Sequence, residues 1–553
     1  MTDFEAGLAQ VGILLVTLAL VYRPLGDYLA HVFTSEKDLK VERGLYRLFR
    51  VDPKSGQRWV TYAQGVLGFS LVSIVVLYLL QRLQPFLPLN FGRGAVDPGV
   101  AFNTAVSFVT NTNWQSYVPE TTMGHVVQMA GLTVQNFLSA GVGLAVAMAL
   151  VRGFVRSRTD RLGNFWVDLT RGTIRVLLPM SFVFAIVLIA LGVTQSLHQG
   201  VAVTNPGGSR STIALAPTAS QEAIKELGTN GGGIYNANSA HPFENPNSWS
   251  DLLEIFLLLC IPVSLTRTFG KMVGNRRQGY VLLSVMGVLW AGVLAVTWWA
   301  EAHPNGPAAL LAGAGMEGKE QRFGISASSL FATSTTGTST GAVNSMHDSF
   351  SGLGGGGPLL NILLGEVSPG GVGTGLYGIL VLAVIAMFLA GLMVGRTPEY
   401  LGKKLGRREV TAAAVSMLAM PTVVLLGAGL ALTFKSTPGY LGNNGGHGLS
   451  EVLYAYASAG NNNGSAFAGI TATSPWFQSS LAVAMAIGRF VPILATLCLA
   501  GSLAGQKKVP ETAGTLPTTG PLFASMLGGT VVLVAALTFI PALALGPIAE
   551  ALA

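Results

Sequence analysis

Four short polar stretches interrupt a chain otherwise built of apolar runs long enough to span a membrane, and nothing else in it constrains the fold as much. They read Thr110-Asn111-Thr112-Asn113-Trp114-Gln115, Thr229-Asn230-Gly231-Gly232-Gly233, Thr335-Thr336-Gly337-Thr338-Ser339-Thr340-Gly341 and Asn461-Asn462-Asn463-Gly464-Ser465. Each follows a short apolar run that reads as a pore helix (105–109, 223–227, 328–332 and 452–459) and precedes a long hydrophobic segment. Their spacing, roughly 105 to 125 residues, makes the chain one unit repeated four times. Irregular backbone at membrane depth persists only where protein or water surrounds it, because a peptide group bare in lipid costs several kcal/mol. Four such loops in a pseudo-fourfold ring present backbone carbonyls to a common axis, the device by which a protein replaces the hydration shell of K⁺. An ordinary outer-surface loop is the competing reading for any one stretch; four in equivalent places count against it.

Half of the 553 residues are hydrophobic and only 11% are charged, where a soluble chain carries about 25%. Spans are expected at 6–22, 59–81, 125–151, 172–195, 251–273, 279–300, 359–394, 411–433, 479–504 and 523–547, each with roughly the 20 apolar residues that cross the hydrocarbon. The expected fold is thus an all-α polytopic membrane protein of about ten transmembrane helices, with four helix–pore loop–helix repeats around one selectivity filter. An extra span falls in 1–24, the repeats in 59–151, 172–273, 279–394 and 411–504, and a last extra span in 523–547. Asp3 and Glu5, with no early Lys or Arg, argue against a cleaved signal peptide. Of the 33 Lys and Arg residues, 25 fall in loops on one side. That bias puts the N-terminus outside and the polar stretches toward the outer face, and it accounts for the net charge of +7 without nucleic acid. Cys260 and Cys498 lie in apolar spans and imply neither a disulfide nor a zinc site.

A filter strand needs backbone angles that residues with a Cβ resist, so Gly231, Gly341 and Gly464 read as filter glycines, with Gly232 beside the first of them. The first stretch has no glycine, and Asn113 and Gln115 shape the filter there. The carbonyls of Thr110, Asn111, Thr112, Asn113 and Gln115, Thr229 to Gly232, Thr338, Ser339, Thr340 and Gly341, and Asn461, Asn462, Asn463 and Gly464 are the expected K⁺ ligands. Glycine-rich backbone at 365–378 interrupts the second helix of repeat 3 and carries Glu366, an acid that is expensive against lipid. It reads either as a packing kink or as a gate in which Glu366, Gly371 and Gly373 take part. Arg489, near the middle of the repeat 4 outgoing helix, must face the interior, as a guard of the ion path or in a structural ion pair.

At these residues the chain resembles the potassium-binding A subunits of Kdp-type potassium-transporting ATPases. The resemblance runs nearly end to end and is carried by Val109 to Tyr117, Leu227-Gly228-Thr229-Asn230-Gly231-Gly232-Gly233, Gly341-Ala342-Val343 with Met346-His347-Asp348-Ser349, and Asn461 to Phe467. Arg396-Thr397-Pro398-Glu399-Tyr400-Leu401-Gly402 and Phe539-Ile540-Pro541-Ala542-Leu543-Ala544-Leu545-Gly546-Pro547 add to it. Thr340 stands where the family often has another small residue. The resemblance implies a relative of K⁺ channels in the bacterial inner membrane, in a heterotetramer with a P-type ATPase catalytic subunit and two small membrane subunits. K⁺ is then the transported ion, no organic cofactor is expected, and ATP acts only through the partner. The repeat 3 loop would block direct passage and send the ion sideways into that partner. A free-standing K⁺ channel or symporter of the same superfamily stays open as the alternative.

Other motifs carry less. Gly313-Ala314-Gly315-Met316-Glu317-Gly318-Lys319 is a partial phosphate loop, but Glu320 replaces the Ser/Thr that would hold Mg²⁺. Gly373-Thr374-Gly375-Leu376-Tyr377-Gly378 has dinucleotide-loop spacing without a βαβ unit. The chain lacks an Asp-Lys-Thr-Gly phosphorylation signature, Asn463 is a sequon by accident, and the seven histidines lack metal-ligand spacing.

Overall fold

The computed structural model describes residues 2–303, 315–510 and 515–552. Ten of its helices are long and apolar enough to cross a membrane: α1 (Asp3–Thr34), α2 (Trp59–Arg82), α4 (Val127–Val155), α5 (Phe165–Ala190), α7 (Ser248–Met272), α8 (Arg276–Ala302), α11 (Thr374–Val394), α12 (Arg407–Thr433), α14 (Pro475–Gly505) and α15 (Pro521–Leu552). Among the shorter helices between them are four that lead into the polar stretches: α3 (Pro98–Val109), α6 (Thr218–Leu227), α9 (Gly324–Gly337) and α13 (Gly445–Asn461). One more, α10 (Gly352–Leu363), is the first half of the broken repeat 3 helix. The chain therefore runs as four units of outer helix, pore helix and inner helix, with α1 and α15 added.

Burial separates the layers. The best apolar window of α4 is 89% buried and that of α7 78%, whereas α1 and α2 reach only 17% and 22%. The residue types fit: the stretch 139–151 of α4 is almost wholly small and aliphatic and is buried along its length, as close packing around an axis requires. The outer helices leave Leu71, Val72, Phe182 and Leu537 exposed for lipid.

Helix starts follow the local sequence. Asp97 accepts the N–H groups of Gly99 and Val100 ahead of Pro98, so α3 begins there and not at 105. Ser474 with Pro475 starts α14, and Asn247 caps α7. The α6 run, Thr-Ala-Ser-Gln-Glu-Ala-Ile-Lys-Glu-Leu, is a polar pore helix, contrary to the apolar run expected at 223–227. The break in repeat 3 spans 364–373 and is shorter than the expected 365–378, because α11 is already helical from Thr374. It turns on positive φ at Gly365, Glu366, Gly370 and Gly373. Outside the membrane, Gly200–Thr204 pairs antiparallel with Arg210–Ala214. At the outer end of α13, His447 bonds Asp348 at 3.0 Å and Glu550 at 2.8 Å. Those two partners push its pKa up to about 10. The charged clamp thus persists through neutral pH and is lost only as pH rises through that value.

Candidate ion-binding site

Each pore helix ends in a turn of the same geometry. In each, the N–H of the third strand residue reaches back five residues to the helix. Thr112 N donates to Ser107 O (2.9 Å), Asn230 N to Lys225 O (2.9 Å), Thr340 N to Thr335 O (3.1 Å) and Asn463 N to Ser458 O (2.8 Å). The residue before each of these has positive φ: Asn111 +64°, Thr229 +48°, Ser339 +55° and Asn462 +61°. Four non-glycine residues held in the left-handed region at equivalent places are a built feature and not loop noise. The bonds also fix the alignment: 110–113, 228–231, 338–341 and 461–464 are equivalent. The second strand therefore starts at Gly228, one residue before the expected Thr229. Gly232 falls one step beyond the strand, level with Trp114.

The glycines close a ring. A Cβ on Gly231 would lie 2.4 Å from the Gly341 backbone, one on Gly341 2.8 Å from Gly464 C, and one on Gly464 1.6 Å from Thr112 O. Gly232 completes the circuit, with Asn113 O 3.1 Å from its Cβ position. The four strands are thus mutual neighbours in the order 1-2-3-4. Gly231 and Gly464 also have positive φ (+105° and +93°). Gly341 does not, so the angle argument from the sequence fails there and close approach alone demands glycine. Among the described residues, the carbonyls of Asn113, Gly231, Gly341 and Gly464, one level of the ring, accept no hydrogen bond from the protein. At other levels some carbonyls are engaged: Thr229 O by Asn111 Nδ2, Asn230 O by Gly341 N, and Thr340 O by Thr335 Oγ1.

Side chains brace this backbone. Thr110 and Thr112 pair their hydroxyls at 2.8 Å, and Thr338 and Thr340 do the same at 2.9 Å. Asn462 donates to Thr112 Oγ1 and Met485 O, and Asn463 to Thr335 O. Asn461 turns back onto its own helix, donating to Ala457 O. Asn113, expected to shape the filter with its side chain, instead donates to Asn136 on α4. Gln115 grips Gly233 twice, accepting its N–H at 2.9 Å and donating to its carbonyl at 3.2 Å, so it bridges repeats 1 and 2. Replacing it with Arg adds a fixed cation near the ion path. At about 4 Å and an effective dielectric near 20 the repulsion is on the order of 4 kcal/mol before screening. K⁺ binding by Gln115→Arg, measured as apparent affinity for transport, should weaken by more than tenfold; a value within twofold of the parent refutes the placement.

Directly behind the ring lies the repeat 3 break. Ser339 Oγ donates to Glu366, Gly370 N to Gly337 O at 2.7 Å, and Val372 N to Thr229 Oγ1 at 2.8 Å. Gly371 is pressed against Thr338 O, and a Cβ on Gly373 would lie 2.1 Å from Gly143 O of α4. The loop is therefore locked to two strands and an inner helix, which a simple packing kink does not require. Arg489 is 3% exposed and donates to Ser139 O at 3.1 Å. Among the described residues it has no carboxylate within 4.0 Å, so the structural ion pair expected as its alternative role is absent. A cavity of about 130 Å³ opens beside the loop, lined by Ser339, Glu366, Tyr377, Met420, Asn461 and Phe539.

Several site residues escaped the sequence reading. Asn136 and Ser139 of α4 hold Asn111, Asn113 and Asn230. Lys225, inside the run expected at 223–227 to be apolar, is wholly buried in α6 among carboxylates. The signal was present in Gln-Glu-Ala-Ile-Lys-Glu running directly into a filter stretch. Lys319 is also buried, against Glu301, while Gly313 and Ala314 of the phosphate-loop-like stretch lie outside the described residues.

The family model of the potassium-transporting ATPase A subunit matches residues 12–552. A potassium-transporting ATPase potassium-binding subunit of Rhodococcus erythropolis is 64% identical over 99% of both chains. One from Rhodococcus opacus is 64% identical over the full length of both, and one from Mycobacteroides abscessus 61% over 99% of both. The potassium transporter TrkH from Vibrio parahaemolyticus shares the fold with a TM-score of 0.51 at 15% identity, over 86% of this chain and 97% of that one. A multi-pass helical bundle with a fourfold ring of loops, matched along almost its whole length by one family model, is a member of the potassium-transporting ATPase A subunit family.

Proposed function

We propose that this chain selects K⁺ at the outer face and passes it to an ATP-hydrolysing partner subunit. The observation that carries the reading is the ring level of Asn113, Gly231, Gly341 and Gly464, whose four carbonyls are left without protein donors. Such a level suits a dehydrated cation that takes carbonyl oxygen in place of water. The pore helices aim their C-terminal ends, the negative ends of their dipoles, at the same place. The repeat organisation at 59–151, 172–273, 279–394 and 411–504 follows from the same four strands.

Below the ring, the locked loop at 364–373 and the Arg489 charge oppose a straight path to the other side, and the cavity at Glu366 and Tyr377 offers a sideways one. This favours delivery to a partner over a free-standing channel. The partner hydrolyses ATP in this reading, since the sequence has no phosphorylation signature of its own. In this reading the basic layer, with Arg152 on Asp168, Arg171 on Asp38 and Arg175 on Glu42, faces the cytoplasm, which supports an N-terminus outside and a bacterial inner-membrane location.

Gly231→Asp tests the filter. A Cβ there meets the Gly341 backbone at 2.4 Å and brings a carboxylate with it. Apparent K⁺ affinity should fall by at least tenfold, about 1.4 kcal/mol, and discrimination against Rb⁺ and Na⁺ should change while partner subunits still co-purify. Unaltered K⁺-stimulated transport with unaltered selectivity refutes the filter.

A further inference from the structure

A group of buried charges stands behind the second filter strand and takes no part in the reading above. Helix α6 carries Glu222, Lys225 and Glu226, all with their side chains out of solvent, and Glu244 and Glu254 are buried beside them. Four buried carboxylates therefore accompany a single ammonium, three of them within 3.5 Å of it. Lys225 Nζ lies 2.8 Å from Glu222, 3.0 Å from Glu244 and 3.5 Å from Glu226. Glu244 is well served, since it also accepts the backbone N–H groups of Ile234 and Tyr235, both at 2.9 Å. Glu222 accepts a further bond from Ser239 Oγ at 3.1 Å. Glu226 and Glu254 are different: no hydrogen bond reaches either oxygen of either carboxyl group. These groups converge, with one carboxylate oxygen from each of Glu222, Glu226 and Glu254 within 4.8 Å of the others.

A buried carboxylate without a hydrogen-bond donor is among the most costly arrangements in a fold; Glu226 shares the Lys225 ammonium with two other acids, and Glu254 has no cationic side chain within 4.0 Å among the described residues. One lysine cannot offset four acids. We propose that Glu222, Glu226 and Glu254 form a second cation site, distinct from the filter, that holds one monovalent alkali ion. The donor set is all carboxylate oxygen, which suits a hard cation and not zinc or copper. Lys225, in contact with two of the three ligands, repels a divalent ion twice as strongly as a monovalent one.

The site is wired to the filter strand. Lys225 O accepts the Asn230 N–H that fixes the second strand. Lys225 Nζ also donates to Asn238 Oδ1, which accepts the Val343 N–H, and Asn238 Nδ2 donates to Gly232 O. Occupancy therefore holds the strands of repeats 2 and 3 in register. The site stands on its own geometry and does not depend on which carbonyls bind the transported ion.

Equilibrium binding of radioactive Rb⁺ to the chain purified with its partner subunits tests it. Glu226→Gln with Glu254→Gln should bind one Rb⁺ fewer per chain at saturation than the parent. Unchanged Rb⁺ stoichiometry, with loss of an infrared band for buried protonated carboxyl groups, means that protons neutralise the acids and overturns the proposal. If the double variant does not accumulate, anomalous scattering from Tl⁺ in crystals of the unsubstituted complex replaces it. A peak in contact with Glu226 and Glu254 is expected, and a filled filter with no such peak refutes the site.

Discussion

Gly464→Ala should abolish high-affinity K⁺ uptake. The added methyl would sit 1.6 Å from Thr112 O, a distance no rearrangement of one side chain relieves because both partners are backbone. The residue also has φ of +93°, where a Cβ adds a further cost of about 1–2 kcal/mol. Strands 4 and 1 must separate, and the ring level formed with Gly231 and Gly341 loses its shape. Apparent K⁺ affinity for ATP-driven uptake in proteoliposomes should fall by at least a hundredfold, about 2.7 kcal/mol. Gly429→Ala is the control: it lies in α12 with nothing within 4 Å of its Cβ position and should leave uptake unchanged. Equal uptake by both variants refutes the ring.

Arg489→Ala should uncouple ion movement from ATP. An Arg at the centre of a span costs about 2.5–3.5 kcal/mol to insert, and here a single bond to Ser139 O is its protein contact at hydrogen-bond distance among the described residues. Its neighbours through space are Glu366 and Tyr377, both on the wall of the cavity behind the filter. Removing it should therefore spare folding and assembly while K⁺ crosses without ATP. Arg489→Lys should restore coupling in part, since the charge returns on a different stem. Flux measured with and without ATP decides: reduced folded protein with normal coupling in the survivors assigns Arg489 to structure instead.

Legibility differed by kind of information. Hydropathy located all ten spans, and the recurrence of Thr, Asn and Gly at one spacing located the four strands, because both are local patterns read without knowing what packs where. Register within a strand was less accessible. In Gly228-Thr229-Asn230-Gly231-Gly232-Gly233 four glycines compete for equivalent places, and only the Asn230 N–H bond to Lys225 O decides between them. Gln115 and Asn113 were identified as special, yet their side chains turn to Gly233 and Asn136. No sequence pattern carries that direction, since it depends on a neighbour more than twenty residues away or in another repeat.

Sequence by itself determined a helical membrane protein of four repeated units with polar strands between them, since apolar length and turn chemistry follow from residue type. Tertiary structure decided which glycines are needed for angle and which for space: Gly341 has no strained φ and is glycine because Gly464 lies against it. It also decided the fate of Lys225. A lysine taken by itself reads as a water-facing charge, and this one is held in the interior because folding brings Glu222, Glu244 and Glu226 within 3.5 Å of its ammonium. Burial of charge is a property of the assembled neighbourhood: of those three carboxylates only Glu222, three residues before Lys225, is recognisable as its neighbour from helical spacing.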